Sequence, residues 1–352
     1  MTQAKPFSDP APVRLPLLDG MRGVAALCVL AYHEGSLHGT PGLMGNSYLA
    51  VDFFFLLSAF VLTRAFEQRF AGGMGTRAFM ALRVARLWPL MAVAALLGAL
   101  EATLRGDTVG LGAALMRHLL FVPWLEQGAQ LFELNGAQWS LLFELLANLA
   151  HVAILWRLRT ALVAAIAGLS ALALLWSGFH YGALNLGWTG TGAWVGLVRV
   201  SCFYGLGIVM ARLLPRNVPE RWTSWRVPLL GLPAIIMAVG LVPGENTSIL
   251  FAWTAILLGF PALILASLLC ALPPRVVPVL DWLGRLSFPL YAIHLPLLML
   301  IQRGVPLPDG TGLRPLSVAV VLGAAALLAE TPLGGRRRKR ARSPAEAQVV
   351  AG

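Results

Sequence analysis

Charge is what this chain has least of. Only 12% of its 352 residues are charged, against about 25% in a soluble domain. That shortage excludes a soluble enzyme and a nucleic-acid binder, although the net charge is +11 and the pI is near 10.7. Cysteine is scarce too. Cys28, Cys202 and Cys270 sit in apolar runs, which excludes a disulfide framework and reads as small buried hydrophobes. No Gly-x-Ser-x-Gly elbow offers a nucleophilic serine, and no metal-ligand spacing occurs. There is neither an internal repeat nor a soluble domain. The first apolar run continues into Tyr32 and His33 without a small-residue cleavage site, so it reads as a retained span and not a leader.

What is abundant is hydrophobicity. The chain is 58% hydrophobic with a mean hydropathy of +0.74, the composition of a polytopic membrane protein. The expected fold is an all-α bundle. Apolar runs able to cross a bilayer recur near 15–35, 48–66, 87–104, 139–156, 160–177, 193–211, 227–242, 248–271, 286–301 and 315–330. Charge placement orients them. With the N-terminus in the cytoplasm, 21 of the 27 basic residues fall in inner segments. Arg105, Arg117, Arg303 and Arg314 fall outside, and Arg22 and Arg199 fall within spans. This bias predicts ten spans with both ends inside. Residues 111–125 are apolar but short, with Arg117 and His118 in their middle. They read as an outer amphipathic or re-entrant helix. A short N-terminal segment (1–14), a membrane domain (15–332) and a basic, disordered cytoplasmic tail (333–352) complete the expected organisation.

Polar residues inside such spans are costly and mark function. Arg22 and His33 are eleven residues apart in LDGMRGVAALCVLAYH. At ~100° and ~1.5 Å per residue they share one helix face and stand ~16 Å apart. His33, at the outer end, suits a base that takes a proton from a hydroxyl. Asp52 opens the second span at similar depth and is expected to orient that imidazole. Ser58 and Ala59 follow and permit close helix packing. Arg83 and Arg86, an i, i+3 pair before the third span, form a compact cationic patch on the inner side. Their guanidinium forks match phosphate oxygens. In the fourth span Ser140, Glu144, Asn148 and His151 share one face. Glu144 needs a partner there, and Arg22, Arg199 and His33 are the candidates. Arg199 in the sixth span, and Tyr291 and His294 in the ninth, read as supporting residues.

Together these blocks resemble acyltransferase family 3, the integral-membrane proteins that O-acetylate bacterial surface glycans and other acceptors. The resemblance runs from Leu18 to Pro332, in family order. It is carried by the Arg-ten-residues-His spacing of Arg22 and His33, by VDFFFLLSAF, by the Arg-x-x-Arg of RVARLWP and by WSLLFELLANL. FYGLGIVMARL, LSFPLYAIHLPLL and the closing Glu-x-Pro of Glu330 to Pro332 complete it. The resemblance implies that His33 is the essential histidine, Arg22 its paired basic residue, Arg83 and Arg86 the arginine pair, and Glu144 the acid of the block opened by Trp139 and Ser140. One departure shows: the family's Ser-Gly-Phe is Ser58-Ala59-Phe60 here.

The expected function is an O-acyltransferase of the bacterial inner membrane. Acetyl-CoA or another acyl-CoA serves as co-substrate, with no tightly bound cofactor or metal. Arg22, Arg83 and Arg86 bind the donor, and His33, helped by Asp52 or Glu144, deprotonates a glycan or glycoside hydroxyl. Membrane lipid and glycan-biosynthesis proteins are the expected partners. An ion-coupled transporter would use the same buried Arg, Glu and His, but no paired Gly/Pro-broken spans recur in two halves.

Overall fold

A computed structural model describes residues 15–39, 42–216, 224–304 and 314–334. The N-terminal segment and the tail from 335 onward lie outside the described residues. Those described form twelve α-helices and no strand, with one isolated bridge between Gln130 and Thr189. The helices are α1 (Pro16–Leu37), α2 (Ala50–Ala71), α3 (Thr76–Arg105), α4 (Leu111–Leu120), α5 (Gln138–Ala153) and α6 (Thr160–Tyr181). They continue with α7 (Ala193–Leu213), α8 (Arg226–Gly240), α9 (Glu245–Thr254), α10 (Phe260–Leu269), α11 (Val277–Gly304) and α12 (Arg314–Ala329). A π-helical stretch, Ala255–Gly259, joins α9 to α10.

Each of the ten apolar segments lies on a helix. Among the described residues, six helices are long and apolar enough to cross a membrane: Ser47–Ala71, Thr76–Arg105, Thr160–Tyr181, Ala193–Leu213, Glu245–Leu269 and Val277–Arg303. Helix α1 falls short because Asp19, Arg22, His33 and Glu34 dilute its hydropathy, whereas α5, α8 and α12 are 15 or 16 residues long. Large side chains such as Leu96, Leu104, Leu169, Leu172 and Leu327 are exposed on the outside of the bundle. An apolar exterior of this kind suits lipid and not water.

Two sequence-level boundaries move. Helix α3 starts at Thr76, about eleven residues before the expected span, because Arg77, Arg83 and Arg86 mask its first turns in a hydropathy reading. Arg83 and Arg86 therefore stand on the helix and not before it. Helix α4 has 10 residues, ~15 Å of helix, half of a ~30 Å hydrocarbon layer. It lies against α3.

Close crossings set the positions of the functional helices. Helix α1 packs along α11, and α2 along α7. At Gly23 an added Cβ would meet Leu283 Cβ at 2.6 Å and its carbonyl oxygen at 2.7 Å; Gly20 faces Leu280 in the same way. The second crossing is made by Gly207 of α7, where a Cβ would strike Leu56 O and lie 2.7 Å from Ala59 Cβ. The methyl of Ala59 is thus accommodated by the glycine opposite it. Such backbone approach lets polar groups on neighbouring helices meet.

Candidate active site

A cavity of about 110 Å³ opens between α1, α2, α3, α5 and α11. Its polar wall is Arg22, Ser58, Arg83, Arg86, Ser140, Glu144, Ser287 and Tyr291; Phe54, Phe55, Phe288 and five aliphatic side chains close the rest. Five sequence-distant helices thus bring all three candidate donor-binding arginines to one space. The i, i+3 spacing on α3 puts Arg83 and Arg86 on one face. The α1–α11 crossing at Gly20 and Gly23 carries Arg22 to the same space.

The charges on this wall do not cancel. One carboxylate oxygen of Glu144 accepts hydrogen bonds from Ser58 Oγ at 2.6 Å and Arg83 Nη2 at 2.7 Å. Arg22 pairs with Asp19, one turn earlier on α1. Arg83 Nε is buried without a partner. Arg86 makes no hydrogen bond or ion pair among the described residues, and its side chain is exposed at the cavity wall. The cavity therefore holds one uncompensated guanidinium and one half-used one. At its other end Ser140 Oγ and Tyr291 Oη are 2.6 Å apart.

Two expected pairings are replaced. Asp52 was expected to orient His33, and Arg199 was a candidate partner for Glu144. Instead, Asp52 and Arg199 bind each other. Arg199 Nε and Nη2 donate to the two Asp52 oxygens, each at 2.9 Å, and both residues are 1% exposed or less. The rest of the guanidinium donates to the carbonyls of Leu186 at 2.8 Å and Tyr48 at 3.1 Å, and lies 5.2 Å from the Trp139 ring. The reason is electrostatic. A buried guanidinium needs a carboxylate more than a neutral imidazole does, and the α2–α7 crossing makes Asp52 the one within reach. Trp139 serves this pair. The partner that Glu144 finds is Arg83, which the sequence had placed at the inner surface.

His33 is half-buried and stands beyond the Ser140–Tyr291 end of the cavity, not on its wall. Its ring meets Tyr32 at 4.9 Å between centroids and His294 at 5.0 Å. His294 is one turn from Tyr291 on α11, their rings 5.8 Å apart. The cavity thus leads from Arg86 past Glu144 and Ser58 to Ser140 and Tyr291, and the two histidines follow.

The polar stripe of α5 divides. Ser140 and Glu144 face the cavity. Asn148 accepts from Tyr204 at 2.9 Å, and His151 sits between Tyr204 and Glu67. Glu67 in turn holds Arg212 at 2.6 Å. This second half ties α2, α5 and α7 together. Glu67, Asp19 and Ser287 are polar groups that sequence reasoning missed. The i, i+3 spacing of Asp19 and Arg22 was a usable signal; nothing local marks the other two. Glu330, of the closing Glu-x-Pro, lies 3.5 Å from Arg285. The three cysteines are buried and free.

Comparison with known proteins gives this arrangement its class. A family model for the acyltransferase domain of family 3 matches residues 15–332. The acyltransferase MdmB of Streptomyces mycarofaciens is 30% identical over 401 aligned positions, covering 95% of this chain and 96% of its own. Protein 2 in the picA locus of Rhizobium radiobacter is 37% identical over 164 positions, covering 41% of this chain and 84% of its own. No solved structure matches. With a family match over nearly the whole chain and several helices apolar enough to cross a membrane, this multi-pass protein belongs to acyltransferase family 3.

Proposed function

We propose that this chain is an O-acyltransferase of the bacterial inner membrane, moving an acetyl or similar acyl group from cytoplasmic acyl-CoA to a hydroxyl of a glycan or glycoside. Ten spans with both ends in the cytoplasm put Arg83 and Arg86 at the inner face and His33 at the outer one. The observation that carries the reading is the convergence of Arg22, Arg83 and Arg86 on one cavity, with Arg86 making no hydrogen bond or ion pair among the described residues. An anionic, phosphate-bearing donor is the ligand that such a wall favours. Its thioester end then points past Ser58 and Ser140 toward His33.

In this reading His33 takes the proton of the acceptor hydroxyl as its oxygen attacks the thioester carbonyl. The C–S bond breaks, the ester forms, and the imidazolium returns the proton to the departing CoA thiolate. The test is CoA release from acetyl-CoA by purified protein in nanodiscs, with a glycan-rich extract as acceptor pool. His33→Ala is expected to lower release by at least about 100-fold, the lower end of what a positioned base supplies. Equal release from both proteins would remove His33 from the chemistry.

A further inference from the structure

A neutral imidazole that acts as a base offers one nitrogen to the substrate and must fix the proton of the other. His33 makes no hydrogen bond among the described residues. Of the carboxylates closest to it in sequence or expected depth, Asp52 is held by Arg199, and Glu34, 3.3 Å from His38, keeps its Oε1 buried without a hydrogen-bond partner among the described residues. Tyr32 flanks the ring on α1, and Tyr48 packs against Tyr32. From α11 the group facing it is His294, with the ring planes inclined at 45°.

The tautomer of His294 is set by its surroundings. Its Nδ1 lies 2.9 Å from the carbonyl oxygen of Tyr291 and 3.2 Å from that of Leu290. Both can only accept, so Nδ1 carries the proton. The lone pair is then on Nε2. That atom is buried without a partner, in a residue only 1% exposed. A buried acceptor left without a donor is unfavourable. The ring that stands next to it is the one that needs an acceptor.

We propose that His294 is the positioning residue for His33. Its Nε2 accepts the N–H of the His33 ring, directly or through one water, and leaves the other His33 nitrogen free as the base. When His33 takes the acceptor's proton, the new cation is stabilised by the His294 lone pair. The transferred proton stays on His33 until the thiolate receives it, and His294 never changes its own protonation. His294 thus fills the place that a carboxylate holds in a Ser-His-Asp triad. The proposal rests on His33 being the base of the acyl transfer.

The experiment compares wild type, His294→Leu and His294→Gln between pH 5 and 9. Glutamine puts an acceptor oxygen near the lost Nε2; leucine does not. His294→Leu is expected to lower kcat by about 10- to 100-fold, the scale of a lost orienting partner, with KM for acetyl-CoA little changed. Because the lost acceptor stabilised the imidazolium, the acid limb of kcat is expected to move down by about one pH unit. His294→Gln is expected to recover most of the rate and the wild-type limb. Wild-type kcat and pH profile in the leucine variant would overturn the proposal. So would equal losses in both variants with a lowered melting temperature, the pattern of a purely structural residue. A second readout needs no turnover: ring NMR of the six histidines, with His33 assigned from His33→Gln. A downward shift of the His33 titration in His294→Leu supports the pairing, and an unmoved one overturns it. If wild type transfers no acyl group from acyl-CoA, the functional reading fails while this titration still decides the pairing.

Discussion

Two of the arginine–carboxylate pairs in this bundle, Asp52–Arg199 and Glu144–Arg83, are built differently. Asp52 and Arg199 form a closed unit. Both are buried to 1% exposure or less, both carboxylate oxygens are used, and spare guanidinium protons go to two backbone carbonyls. Glu144 and Arg83 form an open one. They line a cavity, share one carboxylate oxygen with Ser58, and leave Arg83 Nε unpartnered beside a free Arg86. A satisfied buried pair has nothing left to offer a ligand, whereas an incomplete one beside a cavity does. The same chemistry therefore serves as a staple in one place and as a binding wall in the other.

Removing one partner tests the staple most severely. Asp52→Ala leaves the Arg199 guanidinium buried without its counter-charge, which is expected to cost about 3–5 kcal/mol of stability. Thermal unfolding of the protein in detergent would show it as a large fall in melting temperature, with the loss of activity following the loss of fold. A variant that melts like wild type but transfers no acyl group would place Asp52 in the chemistry and erase the contrast between the two pairs.

The open site should respond in the opposite way. Arg86 is exposed and has no hydrogen bond or ion pair among the described residues, so Arg86→Ala is expected to leave stability within about 0.5 kcal/mol. The loss should fall on binding. KM for acetyl-CoA is expected to rise about tenfold, equivalent to ~1.4 kcal/mol, while kcat changes little. Titrating the rate with acyl-CoA at two salt concentrations checks this, since a lost phosphate contact also flattens the salt dependence. An unchanged KM would mean that Arg86 only marks the membrane orientation.

The sequence shows the helices well and the pairings badly, for one physical reason. Apolar runs and the 3.6-residue period are local, so the α5 stripe and the Arg83–Arg86 face are visible in the chain. Which cation meets which carboxylate depends on how helices are rotated against each other. That is decided at crossings such as Gly207 against Leu56 and Ala59, between residues about 150 positions apart. Arg199 and Asp52 are 147 positions apart, so the triad expected from Asp52 and His33 had no local signal to overrule it. The same holds for His33 and His294, which both stand out in sequence without any sign that their rings touch. Asp19 is the exception. Its i, i+3 spacing to Arg22 was legible, and it supplies that arginine with a counter-charge on the first helix.

A further locked network extends the comparison to a group without fixed charge. His118 of α4 is 2% exposed. Its Nε2 accepts from the backbone N–H of Leu134 at 3.0 Å, so the proton is on Nδ1, which donates to Gln138 Oε1 at 2.9 Å. Gln138 Nε2 returns a bond to the His118 carbonyl at 2.8 Å. Protonating the ring would set a second N–H against that of Leu134. Burial lowers the pKa from 6.5 to about 4, the Gln138 bond opposing and the Arg117 charge adding to the shift. A folded-state pKa below the unfolded one means that the unfolded chain binds the extra proton first. The stabilisation is therefore complete above pH 6.5 and is lost as the pH falls toward 4, by about 1 kcal/mol per pH unit. Amide hydrogen exchange over 111–120 and 131–137, corrected for the intrinsic rate, is expected to show α4 opening more often across that window. His118→Gln, which keeps an uncharged side chain, should flatten the response. Exchange that is independent of pH in the wild type would mean that α4 is held by its apolar face against α3 alone, and that only the charged pairs act as staples in this fold.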